Sequence, residues 1–324
     1  MANTQMTCAV IIPVKNGAGT LEQCLHSIKE QDLPVQSGIL VLDSASTDSS
    51  VRIAESNGAR ILPVEPGTFN HGLTRNAGVA SVDSDLIYFT VQDASIPDPS
   101  MLRKMAAHFD DPEVMAVMGH QAVPHHRDKN PMQWTKRYST PVVQIKHLQG
   151  DRADKEKQLA ENPSLMAWDN VVAMYRRDAL LALPFADTAF GEDWIWCRDA
   201  LLKGLKLVYD PSLVVHHYHH QDYDYTYNLH YTIHYHFYKH LGILPERPPL
   251  IRSMKEAGWH LGKNTSLSIQ EKLYWLKHNY LSRLAALRAY RDFMKYQRSG
   301  MEALEQRYRQ ICRVVPQGKL RSSV

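Results

Sequence analysis

Residues 87–97 read IYFTVQDASIP, and this stretch changes character halfway along. Ile87 to Val91 are β-branched or aromatic, the composition of a strand. The run then ends on Gln92 and Asp93, and Pro97, which cannot extend a ladder, follows closely. An aspartate at a strand end commonly does no more than cap and turn the chain. Its meaning depends on what the neighbouring strands deliver to the same edge.

Working outward, strand-like runs fall at 8–14, 38–43, 60–64, 86–91 and 114–119. Helical patterns lie between them. Leu21, Cys24, Leu25 and Ile28 share one helical face, residues 47–56 follow Ser46 or Thr47 as N-cap and stop at Gly58, and 98–109 tolerates Pro99 near its start. Strands alternating with short helices predict βαβ units and a mostly parallel, Rossmann-like sheet flanked by helices. Residues 121–167 are polar and loop-rich, with no clear period. A second block follows: 168–175, helices over 177–183 and 192–203, a strand over 205–209, and a histidine-rich strand end after Pro211. From about Asp222 the chain reads as helical and aromatic, with one or two long amphipathic helices over 264–298. No internal repeat is present.

The 324 residues are 44% apolar, enough for a substantial core. Cys8, Cys24, Cys197 and Cys312 are too far apart to suggest a zinc or redox pair, and so few cysteines fit a reducing cytosol. The early apolar run 8–14 is too short for a signal segment, and no run of 18 apolar residues exists. These features predict a cytoplasmic protein. The net charge of +3 conceals an asymmetry, since residues 225–324 carry 17 Lys/Arg against 6 Asp/Glu while the rest of the chain is acidic. Nucleic acid is not indicated, because no recognition motif accompanies the basic region. An anionic membrane surface at the inner face of the cell membrane, or simple solvation, remains.

Ligands of open parallel sheets bind beyond the carboxyl ends of the strands. Three ends carry polar groups here: Pro13, Lys15 and Asn16 after the first, Asp43 at the second, Asp93 after the fourth. Together they outline a nucleotide-sized pocket. The dinucleotide fingerprint is absent, because Gly17 and Gly19 are followed by Glu22 where a third glycine belongs, and there is no P-loop.

The segments CAVIIPVKNG, VLDSASTDSS, GTFNHGLTRNAG, TVQDASIP, GHQAVP and FGEDWIWC…LLKGLKLVYDPSLVVHH stand in the order found in glycosyltransferase family 2, and the FNHGLTRNAG and QDA versions resemble its bacterial rhamnosyltransferase-like branch. The resemblance covers about residues 7–223. It implies an inverting enzyme of the GT-A fold, with a catalytic domain over 1–222 (a nucleotide-sugar half to about 120, then an acceptor half) and a helical C-terminal extension over 223–324. By the family pattern, Asp93 is the last carboxylate of a D-x-D motif and holds a divalent metal, Mn²⁺ or Mg²⁺, on the donor diphosphate. Val91 replaces the first carboxylate and can bind neither metal nor ribose. The same pattern puts Pro13, Val14, Lys15, Asn16 and Asp43 around base and ribose, Gln92 on the donor side, and Arg75 near the diphosphate. Asp193 becomes the general base, with Glu192, Trp194 and Asn170 on the acceptor side. A family histidine after Pro211 completes the metal site; the count from the proline favours His217 over His216, and His219 and His220 reach the acceptor or solvent. The implied donor is dTDP-rhamnose or a UDP-sugar, and the implied acceptor a surface polysaccharide or lipid-linked glycan.

Other readings stay open at this level. One is a non-catalytic sugar-nucleotide or glycan-binding protein on the same fold, with Val91 as a sign of decay. A nucleotidyltransferase would want an arginine in the loop after the first strand, and VKNGAGTLEQ has none. The basic helices either dock on an anionic membrane or pack on the catalytic domain or on a second subunit of a homo-oligomer.

Overall fold

The computed structural model describes residues 6–33, 38–134 and 142–311; Cys312 and the rest of the expected helical extension, to residue 324, lie outside the described residues. In chain order the elements are β1 (Cys8–Val14), α1 (Leu21–Lys29), β2 (Ile39–Asp43), α2 (Ser50–Ser56), β3 (Arg60–Pro63), α3 (His71–Ala80), β4 (Leu86–Phe89), α4 (Met101–Ala107), β5 (Val114–Ala122), α5 (Pro131–Trp134), β6 (Gln144–Lys146), α6 (Arg152–Glu161), β7 (Ala173–Arg176), α7 (Arg177–Ala182), α8 (Glu192–Leu202), β8 (Lys206–His216), α9 (Tyr223–Leu241), α10 (Leu250–Lys263), α11 (Ile269–Arg298) and α12 (Met301–Ile311). They fall into two compact units, one from residues 1–122 and 137–217, the other from 123–136 and 218–324.

The first unit is built on one sheet of order β3-β2-β1-β4-β7-β5-β8-β6. β1 to β4 run parallel, as do β5 and β8, while β7 and β6 run antiparallel to their neighbours. The sheet is therefore mostly parallel, as the alternation of elements predicts. Its inner strands are covered on both faces, which explains their near-continuous apolar sequence: β1, β2 and β4 are buried almost throughout. Cys24, Leu25 and Ile28 of α1 join Val10, Val41 and Tyr88 in the main core.

Several local features differ from the sequence reading; α2, for instance, starts after Ser49 rather than after Ser46 or Thr47. β4 stops at Phe89 rather than Val91, and the chain turns at once, with Ala94 N–H bonding Val91 O at 3.1 Å. Pro97 thus follows a turn already made and leads toward α4. β8 passes through Pro211 without ending, because β6 pairs only with Leu207 to Tyr209 and the β5 ladder is irregular between Tyr209 and Val214, so the missing proline N–H falls where neither neighbour is paired. The apparently featureless stretch 121–167 contains β6 and α6. α6 buries only Leu159 and is started by a capping box between Asp151 and Asp154, so it carries no apolar periodicity to detect.

In the second unit α9 packs on α11 and α12. Tyr227, Tyr231 and Tyr235 cluster with Ala285, Ala289, Phe293 and Leu304, and the Tyr235 and Tyr308 rings stack 4.2 Å apart. α10 packs on α11, where Leu261, Leu267 and Trp275 form a second small core. α11 opens with a capping box of Ser268 and Glu271. No described helix is long and apolar enough to cross a membrane.

Candidate active site

The loops after β1 and β2 are bonded to one another. Lys15 Nζ donates to Ser44 O and Ala45 O at 2.6 and 2.5 Å, Asn16 N–H to Ser46 Oγ, and Thr47 N–H to Asn16 Oδ1. The Asp43 carboxylate accepts Ser46 N–H at 3.2 Å. Val14 pairs with Asp43 in register, and Pro13 with Leu42. Asn16 and Ala45 both take left-handed backbone, φ 49° and 55°, the only non-glycine residues among those described to do so. Such strain persists where surrounding contacts impose it, and it gathers at functional loops. Gln92 closes this edge: its Oε1 accepts Lys15 N–H at 2.8 Å and its Nε2 donates to Lys15 O at 3.2 Å. Gly17 leaves the necessary room, since a Cβ there would lie 2.7 Å from Gln92 Oε1. Pro13, Val14, Lys15, Asn16, Asp43 and Gln92 are thus assembled on one sheet edge. The Lys15 ammonium itself is engaged by backbone carbonyls.

Asp93 follows directly. Ser95 and His216 exchange backbone hydrogen bonds of 2.9 and 2.8 Å, which ties the chain beyond β4 to the end of β8. His217, the next residue, places Nε2 3.3 Å from Asp93 Oδ1, while His216 remains in the strand. His217 Nδ1 lies 2.7 Å from Gln121 Oε1, and Gln121 Nε2 donates to Asp169 Oδ2. With Nδ1 turned to the glutamine oxygen, Nε2 faces the Asp93 carboxylate, and a cation between the two would be shared by both. This is the arrangement by which an outer hydrogen bond sets the tautomer of a metal-binding histidine. One carboxylate oxygen and one neutral imidazole nitrogen fit a divalent cation that shares its remaining positions with phosphate and water, and the nitrogen suits Mn²⁺ better than Mg²⁺. His219 and His220 belong to the second unit.

The carboxylate cluster at the start of α8 is built differently. Gly191, in left-handed backbone with φ 74°, starts α8, so Glu192 and Asp193 occupy its first turn, where the helix dipole favours acids. Arg75 is not a surface residue of α3. Its side chain is 5% exposed and Nη1 sits 3.1 Å from Glu192 Oε1 and 3.0 Å from His71 Nδ1, with the guanidinium 5.8 Å from the Phe89 ring centre. Asn170, also buried, donates to Glu192 Oε1 at 2.9 Å, and its own Oδ1 accepts from Tyr175 O–H at 2.6 Å. Trp168 Nε1 donates to that Tyr175 oxygen. Burial raises the Glu192 pKa, but the Arg75 charge, helped by the Asn170 amide, outweighs it and holds the carboxyl below its usual range. Asp193 goes the other way. Burial, then the charges of Glu192 and Asp169, push its carboxyl well above the usual range. Burial lowers the His71 pKa to about 4, so this imidazole stays neutral. Trp194 is half-buried, whereas Trp196 is a core residue bonded to Leu183 O and edge-on to Tyr175.

The FNHGLTRNAG segment joins these parts. Asn70 caps α3 and donates to Asp187, Asn76 exchanges hydrogen bonds with Phe185, and Gly72 lies so close to Ala186 that a Cβ would sit 1.8 Å from its carbonyl oxygen. His71, Gln121, Asp169 and Tyr175 were not singled out from sequence. His71 and Arg75 at i, i+4 gave one available signal, and Gln121 stands within GHQAVP.

The sheet and its decorated edge define an α/β protein of the glycosyltransferase GT-A fold. Glucosyl-3-phosphoglycerate synthase from Mycobacterium tuberculosis, solved with Mn²⁺, UDP-glucose and phosphoglyceric acid, superimposes with a TM-score of 0.53 at 19% identity, over 75% of this chain and 82% of that one. The sequence pattern of Glycosyl transferase family 2 matches residues 9–183, and the chain belongs to that family. It is 33% identical over 221 residues to the O-antigen chain rhamnosyltransferase RfbN of Salmonella typhimurium, spanning 66% of this chain and 67% of the relative. The rhamnosyltransferase WbaN of Salmonella anatum matches at the same identity over 65% of each. The protein is a glycosyltransferase.

Proposed function

We propose that this enzyme moves rhamnose, with inversion, from a nucleoside diphosphate of the dTDP or UDP type to a hydroxyl of a growing surface polysaccharide or lipid-linked glycan. The names of the two Salmonella relatives support the sugar and the acceptor class. The observation that carries the chemistry is a continuous row of side chains, Asp93–His217–Gln121–Asp169, whose last carboxylate bears electrostatically on Asp193. It links a cation-binding pair to a carboxyl of raised proton affinity.

In this reading Pro13, Val14, Lys15, Asn16, Asp43 and Gln92 shape the donor edge, and Arg75 adds positive charge on the diphosphate side. Asp93 and His217 hold the divalent cation, which when bound neutralises charge gathering on the departing diphosphate. Asp193, ionised, accepts the proton of the acceptor hydroxyl. The acceptor oxygen forms its bond to the anomeric carbon on the face opposite the breaking bond, and the diphosphate leaves with that electron pair. Glu192, kept ionised by Arg75, together with Asn170 and Trp194, lines the acceptor side. With a lipid-linked acceptor the enzyme works at an anionic membrane surface, and the basic helical unit supports that setting.

The test is turnover of dTDP-rhamnose and of UDP-sugars with and without Mn²⁺. Metal-dependent release of the nucleoside diphosphate is expected, and it should be lost in Asp93→Ala. Full turnover in EDTA would remove the metal from the mechanism. Donor binding without any turnover or hydrolysis would leave a binding protein on an enzyme fold.

A further inference from the structure

α10 is short of acidic residues and presents an unusual outer face. Ile251, Lys255 and Trp259 recur at i, i+4 and i+8, so they lie in one row. Ile251 is 75% and Trp259 57% exposed. Arg252 and Lys263 flank the row and are exposed as well, while Ala257 and Leu261 are buried on the opposite side of the helix. Lys263 Nζ sits 4.1 Å over the Trp259 ring, and the single acid of the helix, Glu256, is taken up by Arg252 at 3.0 Å. At the head of α10 a cleft of about 400 Å³ lies between Arg247, Arg252 and Arg291, with Pro249 and Leu287 contributing apolar walls.

The chemistry of this surface narrows its occupant. An exposed tryptophan with a lysine ammonium over its ring, on a helix that also exposes an isoleucine and further cations, suits the boundary between lipid headgroups and acyl chains. The cleft combines guanidinium forks, which bind phosphate in two-point fashion, with apolar walls. A second copy of the chain is disfavoured, because a two-fold contact on this face would set the same cations against each other.

We propose that the outer face of α10, with the arginine-rimmed cleft at its head, docks on an anionic phospholipid bilayer. Ile251 and Trp259 enter the headgroup boundary while Arg247, Arg252, Lys255, Lys263 and Arg291 meet lipid phosphates. This extends the membrane setting proposed above to particular residues, none of which belongs to the catalytic machinery.

The experiment is co-sedimentation of the full chain with vesicles of phosphatidylethanolamine and phosphatidylglycerol, compared with neutral phosphatidylcholine vesicles. Binding to the anionic vesicles alone, weakened by salt, is expected. Each cation near the surface is worth about fivefold in partitioning, so Arg247→Gln/Arg252→Gln/Lys255→Gln should lower it about a hundredfold. Trp259→Ser should weaken it further, and a blue shift of tryptophan emission on vesicles should vanish in Trp259→Phe. Turnover with a soluble acceptor should be unchanged in every variant, which separates failure of this surface from failure of the catalytic reading. Vesicle binding by the triple variant equal to wild type would assign docking to other residues and overturn the proposal. So would equal binding to neutral vesicles, or no binding to anionic vesicles at low salt; a dimer that Ile251→Glu dissociates would then name a second copy as the occupant.

Discussion

The edge proposed to bind the donor and the cluster proposed to supply the base, both in the first unit, hold their polar groups by different means. At the donor edge, half-exposed polar residues are joined mainly by hydrogen bonds to neutral backbone groups, as between Gln92 and Lys15 or Asn16 and Thr47. In the base cluster, buried charges oppose one another, with Arg75 on Glu192 and Glu192 acting on Asp193. The first arrangement fixes shape and tolerates changes of pH. The second stores its effect in charge, and a single neutral substitution redistributes it.

The sharpest break between the two regions comes from Asp193→Asn, which keeps shape and removes the proton acceptor. Loss of a general base costs about 10²- to 10⁴-fold in kcat, and donor affinity should stay near wild type. Weaker donor binding with an unchanged chemical step would move Asp193 out of the base cluster. Arg75→Met comes next, because it strands Glu192 as an unpaired buried charge. Breaking such a pair costs about 3–5 kcal/mol, so the denaturation midpoint should fall clearly, and an unchanged midpoint would show that the pair holds nothing. Gly17→Ala tests the other side. The new Cβ displaces Gln92 and loosens two hydrogen bonds to Lys15, worth about 1 kcal/mol each. The donor KM should rise several-fold while the pH profile keeps its shape.

The smallest effect sharpens the comparison most directly. A base must be ionised to act, so activity falls as pH drops through the raised Asp193 value. Glu192→Gln removes one of the two charges that raise it, and the acid limb of kcat/KM should move to lower pH. Burial, the larger cause, remains, so the limb should stay above that of an ordinary carboxyl. A limb that moves to higher pH, or does not move, would uncouple the two carboxylates.

The gathering of polar residues at one sheet edge was legible in the sequence because they follow strands whose apolar runs are unmistakable, as with Asn16 after β1 and Asp43 ending β2. The histidine count from Pro211 likewise led to the ring that faces Asp93. The base cluster was legible only in part. Nothing in the spacing of Arg75 and Glu192 says that they pair, because that contact arises where α3 meets the loop before α8. Gln121 and Asp169 were missed for a similar reason. Each is ordinary in its own segment and gains a role only through the other. α6 escaped notice because solvation and capping, rather than a buried stripe, hold it.

β7 lies between β4 and β5 although it follows both in the chain. Ala173, where it begins, is 84 residues beyond Phe89, where β4 ends. During synthesis the parallel block β3-β2-β1-β4 can therefore form first, with one side of β4 waiting for a strand not yet made. Such an open edge is a template for unwanted pairing, and distant pairing is slow. A nascent chain that ends before residue 173 would present the free side of β4, the side most open to non-native strand pairing.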